Sequence, residues 1–159
     1  MKRSSELRPL SAEHHQALLV AFQLKKSLEG HAESAGAPKD VPGLISLARR
    51  FHEKVFLSHA AAEEELLGRY LTAPDMRRLE SEHAELTQHA QAARTGSVSA
   101  QRAALAAFAD LLERHVRWEE RELFEYAEAH VDHDALVAIG GELEKRLVLA
   151  GQNARGARR

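Results

Sequence analysis

His115-Val116-Arg117-Trp118-Glu119-Glu120-Arg121-Glu122-Leu123-Phe124-Glu125-Tyr126 decides the reading of this chain. A histidine is followed four residues later by a carboxylate, and then at once by a second. The same device stands earlier in His59-Ala60-Ala61-Ala62-Glu63-Glu64-Glu65-Leu66-Leu67-Gly68-Arg69-Tyr70. Aligned on the histidines, Glu63/Glu119, Glu64/Glu120, Leu67/Leu123 and Tyr70/Tyr126 coincide. Side chains four apart on a helix are neighbours on one face, so each copy sets an imidazole beside a carboxylate. A lone pair of this kind is ordinarily a surface ion pair worth about 0.3–0.5 kcal/mol. Two matching copies in 159 residues point instead to one shared site.

Working outward, apolar periodicity predicts helices and no strands. The first runs from Ser11, its N-cap, to Glu29, and Gly30 ends it. A loop covers residues 31–40. Asp40 caps a second helix of about 28 residues, some 42 Å, ending near Tyr70. Thr72 caps the third, which stops near Gly96, and Ser97 or Ser99 caps the fourth, which carries the opening stretch. A break at residues 130–134 precedes a last helix over residues 135–149, weakened by Gly140-Gly141 at about 1 kcal/mol per glycine. The expected architecture is all-α: an up-down antiparallel four-helix bundle with a short C-terminal extra helix. The corresponding division is a polar arm (1–10), the bundle (11–129), and the last helix with a disordered tail (130–159).

Composition removes several alternatives. With 22 basic and 24 acidic side chains, no charge footprint for nucleic acid or an acidic membrane stands out. No cysteine is present, which excludes disulfides, thiolate metal sites and cysteine nucleophiles, and suits a reducing cytosol. No apolar run of about 20 residues and no signal-peptide core occurs, so the expected localisation is cytoplasmic. Ten histidines are the unusual feature, histidine being the commonest metal-ligand side chain.

Helix geometry tests whether those histidines meet. His14 lies about 22 Å before the end of the first helix, and His59 about 24 Å after the start of the second. His83 and His115 stand about 18 Å and 24 Å from the third connection. Antiparallel helices therefore bring one histidine from each helix into one layer. His14, His59, His83 and His115 all lie on apolar stripes, and Glu63 and Glu119 follow theirs by one turn. His15, about 100° round from His14, remains a second choice because its face is apolar too. The metal-ligand candidates are thus His14, His15, His59, Glu63, His83, His115 and Glu119. His31, His52, His89, His130 and His133 fail the layer test and are expected to be structural or exposed. Glu64, Glu65, Glu120 and Glu122 are expected on a solvated face, with Glu120 at most a reserve ligand. Trp118, Phe108 and Phe51 are expected in the core. Four imidazoles around two carboxylates suit a pair of borderline cations such as iron, zinc or copper.

The segments Leu10–Leu18, His59-x-x-x-Glu63-Glu64-Glu65, Glu82-His83-Ala84-Glu85-Leu86 and His115–Phe124 together resemble the hemerythrin-like, or HHE cation-binding, family. The resemblance implies a four-helix bundle with two iron ions bridged by carboxylates, with an oxo or hydroxo group as a further bridge. It supports His14, His59, Glu63, His83, His115 and Glu119 as ligands. Oxygen-carrying members have H-x-x-x-H on the third helix, whereas His83 is followed by Thr87 at that spacing. They carry aspartate five residues after the fourth-helix histidine, where Glu120 stands here, behind Glu119. The family's proline after Leu-Phe is Glu125. The missing imidazole argues against reversible oxygen carriage, and Glu120 or a water are the two candidates for its place.

The expected function is therefore a di-iron protein that meets dioxygen, peroxide or nitric oxide in sensing or a stress response. An enzyme using the same centre is a second expectation. A metal-free or zinc-binding helical interaction module, a homodimer through the last helix, is the alternative.

Overall fold

The computed structural model describes residues 3–156, with side chains described through Leu147. Five helices follow one another, and no strand occurs among the described residues. Helix α1 is Arg8–Leu28. Helix α2 (residues 41–66) joins Val41–Phe51, a π-helical turn His52–Phe56 and Leu57–Leu66. Helix α3 is Ala73–Ala92. Helix α4 (residues 98–130) joins Val98–Trp118, a second π-helical turn Glu119–Leu123 and Phe124–His130. Helix α5 is His133–Gly156.

The chain's punctuation explains these limits. Asp40, Thr72 and Ser97 each accept a hydrogen bond from the backbone N–H three residues on, so Ser97 rather than Ser99 caps α4. Gly30 follows the C-cap of α1 at φ +89°, and Gly96 takes φ +93° in the turn between α3 and α4, a conformation glycine adopts without a Cβ penalty. Helix α1 begins three residues before the expected cap. Leu7 is the N-cap, without a side-chain bond, and Pro9 sits in the first turn, where its missing N–H costs nothing. Leu7 and Leu10 are fully buried, so residues 7–10 pack into the core where a polar arm was expected, while residues 1–2 of that arm lie outside the described ones.

The last helix also differs from expectation. It starts at His133, where Asp132 Oδ1 accepts from Ala135 N–H, and it is not short. The tail expected to be disordered from Gly151 is helical to Gly156; residues 157–159 lie outside the described ones. Gly140 has a packing reason: a Cβ there would stand 3.0 Å from Glu6 Cα, so the glycine lets α5 approach the N-terminal segment.

Helix α1 packs on α4 and α2, and α3 packs on α4 and α2, while α5 lies against α1 and α2. Buried side chains form two clusters. One contains Ala17, Phe56, Leu86, Leu112 and Phe108; the other contains Leu10, Ala62, Leu79, Trp118 and Phe124. Each of the four layer histidines sits on its helix between a residue of one cluster and a residue of the other. The polar layer is therefore sealed above and below by apolar side chains. No described helix is long and apolar enough to cross a membrane.

Candidate metal centre

His14 (α1), His59 and Glu63 (α2), His83 (α3), and His115 and Glu119 (α4) meet in this layer, each no more than 6 % exposed. Their donor atoms fall into two sets: His14, His59, Glu63 and Glu119, and His83, His115, Glu63 and Glu119. Within each set the atoms lie within 4.8 Å of one another, and both carboxylates belong to both sets. His59 Nε2 is 2.9 Å from Glu63 Oε1, and Glu63 Oε2 is 3.2 Å from His83 Nε2. His115 Nε2 is 2.9 Å from Glu119 Oε1, and Glu119 Oε2 is 2.9 Å from His14 Nε2. Each carboxylate thus reaches one half of the layer with one oxygen and the other half with the other.

The opposite edge of every ring is held by a further carboxylate. Each Nδ1–H donates: His14 to Glu120 Oε1 at 2.7 Å, His59 to Glu13 Oε1 at 3.1 Å, His83 to Glu64 Oε1 at 2.7 Å, and His115 to Glu82 Oε2 at 2.6 Å. The pattern is cyclic. Glu13 from α1 holds the α2 histidine, Glu64 from α2 holds the α3 histidine, Glu82 from α3 holds the α4 histidine, and Glu120 from α4 holds the α1 histidine. Here the structure corrects the expectation for Glu64 and Glu120. Neither belongs to a purely solvated face, and Glu120 joins neither donor set. The signal was present in the sequence as the doublets Glu13-His14, Glu63-Glu64, Glu82-His83 and Glu119-Glu120, but the partner of each lies on another helix.

In the neutral form that a metal ligand requires, with Nδ1 donating outward, all four Nε2 atoms present lone pairs inward. They face carboxylate oxygens, which also only accept. Both oxygens of Glu63 and Glu119, and Nε2 of His83 and His115, are buried without a hydrogen-bond partner. His14 Nε2 and His59 Nε2 stand only 3.0 Å apart, so at most one proton fits between them. Unpaired buried acceptors are costly, and cations at their focus satisfy them all at once. The residues present therefore fit metal ions.

Without a metal, protons on the inward nitrogens answer the same crowding of acceptors. Burial opposes charge on His59, but the Glu63 carboxylate and the bond to Glu13 override it and push the ring up to about 9. His83 rises to about 10 for the same reason, against burial, through Glu119 and Glu63. His14 and His115 are also raised despite burial, by Glu119 in both cases and also by Glu120 for His14. Glu63 and Glu119 are lowered although burial opposes their charge, because imidazoles surround them. Glu120 falls to about 2 against its partial burial, through His14, Ser11 and Arg3.

Other candidates lie elsewhere. His15 is exposed and does not join the layer. His31, His130 and His133 are exposed, and His89 is half-buried beside Glu85. His52 is buried in the π turn of α2, its Nε2 2.9 Å from Thr87 Oγ1. The position that lacks a histidine on α3 is thereby taken up in a hydrogen bond. Ser11, expected as a cap, donates instead to Glu120 Oε1 at 2.6 Å. Phe51, Phe108 and Trp118 are buried in the core, as expected.

Fold and site together define an all-helical protein whose buried histidines and carboxylates suit a metal centre. The chain matches the hemerythrin HHE cation-binding domain over residues 5–127 and belongs to that family. No curated protein and no solved structure gives a significant match.

Proposed function

We propose that this chain is a cytoplasmic, non-haem di-iron protein that meets dioxygen, peroxide or nitric oxide in sensing or a stress response. In this reading α1 to α4 form the family's up-down four-helix bundle. One observation carries the proposal: two donor sets share Glu63 and Glu119, with their buried acceptor atoms left unpaired. His14 and His59 would hold one iron, His83 and His115 the other, and the two carboxylates would join them. Imidazole and carboxylate donors suit iron, and bundle cores commonly house such pairs. Iron bound there would supply redox and ligand-binding chemistry.

The protein's own residues do the rest. Each set offers four side chains, fewer than an octahedral ion takes, which leaves room for water or a small ligand. A cavity of about 10 Å³ abuts His14, His59, His115 and Glu119 and is walled by Ala17, Phe51, Val55, Phe56, Leu112 and Val116. That is space for roughly one water-sized molecule, which favours a diatomic ligand over a metabolite. The apolar walls keep bulk water from the donors.

Elemental analysis with an absorption spectrum tests the reading. Protein loaded with iron without oxygen and then exposed to air should hold two irons per chain and show near-ultraviolet charge-transfer bands. His59→Ala should lose both the bands and the full stoichiometry. Protein that takes up only zinc, or no metal, would overturn the di-iron reading in favour of an interaction module.

A further inference from the structure

Among the described residues, two arginines stand behind the ring of outer carboxylates, and they back only two of the four. Arg3 Nη2 donates to Glu120 Oε2 at 2.9 Å and to the Glu120 carbonyl at 2.5 Å, and Arg3 Nη1 lies 3.1 Å from Glu128 Oε1. Its guanidinium sits 5.3 Å from the centre of the Phe124 ring, and Phe124 stacks on His14 at 5.2 Å with the planes 9° apart. Arg78 repeats the arrangement on the other side. Its Nε donates to Glu82 Oε1 at 2.9 Å, and its guanidinium lies 4.1 Å from the Trp118 ring, itself 6.0 Å from His115. Among the described residues, Glu13 and Glu64 pair with their histidines and with no lysine or arginine.

The arginine-backed histidines, His14 and His115, fall one in each donor set. Each set therefore contains one histidine on a clamped carboxylate and one, His59 or His83, on a carboxylate that pairs with no lysine or arginine among the described residues. The two clamps come from unrelated parts of the chain. Arg3 belongs to the N-terminal segment, anchored by the fully buried Leu7 and by Ser4 N–H donating to Glu128 Oε1 at 2.9 Å. Arg78 lies on α3 one turn before Glu82.

We propose that Arg3 and Arg78 are positioning residues of the metal centre, each holding and tempering the carboxylate that orients one histidine. The inference rests on the metal reading above. A guanidinium shares the carboxylate's charge and fixes its plane, so less of that charge pulls on the imidazole N–H. An unclamped carboxylate pulls harder and makes the opposite nitrogen a stronger donor. Each metal position then receives one weaker and one stronger imidazole.

Zinc makes the test readable, because it accepts the same donors and is diamagnetic. Zinc uptake is measured first, and the Nδ1–H resonances are then followed by proton–nitrogen NMR on histidine-labelled protein. The His14 resonance is identified by its proximity to the Phe124 ring, that of His115 by Trp118. Arg3→Gln should shift the His14 resonance and leave the other three, Arg78→Gln should shift that of His115 alone, and Arg3→Lys should restore most of the first shift. A merely structural role would lower the melting temperature without moving one resonance selectively. Unmoved His14 and His115 resonances, or four that move together, would overturn the clamps while the metal centre stands. Wild-type protein that takes up no zinc would overturn the metal reading itself, and the clamps with it.

Discussion

Glu120 Oε1 stands 2.7 Å from His14 Nδ1, so the residue after Glu119 on α4 holds the very histidine that Glu119 meets from the other edge. Consecutive residues on a helix lie about 100° apart, which lets one face the layer and the next reach round the neighbouring helix. The same division of labour links Glu63 to Glu64. Each helix thus contributes inward donors and an outer support for its neighbour.

Because Glu63 and Glu119 belong to both donor sets, their loss should not be local. Glu119→Gln is expected to abolish stoichiometric binding at both positions, whereas His83→Ala leaves the set of His14, His59, Glu63 and Glu119 complete and should retain about one metal per chain. Metal content after gel filtration checks the difference. Two metals retained by Glu119→Gln would contradict a shared carboxylate.

The outer carboxylates should matter nearly as much as the donors. Glu13→Gln, Glu64→Gln, Glu82→Gln and Glu120→Gln are each expected to weaken metal affinity by about 10–100-fold, the usual effect of losing a partner that orients a ligand histidine. Glu122→Gln, at an exposed position, should leave affinity unchanged. Competition against a chelator of known affinity measures both.

Metal-free protein should show a stability maximum in mildly acidic solution. Histidines raised above 6.5 stabilise fully below that pH and lose their contribution as pH climbs through about 9 for His59 and about 10 for His83. The lowered carboxylates stabilise above 4.5 and lose their contribution as pH falls below it. Melting temperature after chelation should therefore peak between about pH 4.5 and 6.5 and decline on both sides. A flat profile from pH 4 to 10 would contradict the buried ion pairs.

The same raised histidines mean that metal uptake at neutral pH must expel protons, since a ligand nitrogen cannot carry one. Calorimetric titrations in buffers of different ionisation enthalpy should give apparent enthalpies that differ in proportion. Identical enthalpies in all buffers would show that the rings were already neutral.

Packing of the N-terminal segment can be checked by stability alone. Leu7→Ala should cost about 2–5 kcal/mol, the range for emptying a buried leucine site. Leu19→Ala, at a half-exposed site on α1, should stay within about 0.5 kcal/mol. Denaturant unfolding of the metal-free variants distinguishes the two.

By itself the sequence determined the helical class, most of the helix limits, and the layer of His14, His59, Glu63, His83, His115 and Glu119. Those features follow from period, caps and a fixed rise per residue, which are local properties of the chain. It left His14 and His15 open, because both lie on apolar faces and only packing against α2 and α4 turns one inward. Glu13, Glu64, Glu82 and Glu120 could not be assigned to their histidines, because each bond crosses to a different helix and depends on how the helices are rotated against one another. The π turns at residues 52–56 and 119–123 shift that rotation partway along α2 and α4, and no local propensity announces them. Leu7 and Arg3 looked like part of a polar arm until tertiary structure gave the first a core and the second a carboxylate. Burial and charge pairing are properties of the assembled helices, and the interlocked support of the site was decided there.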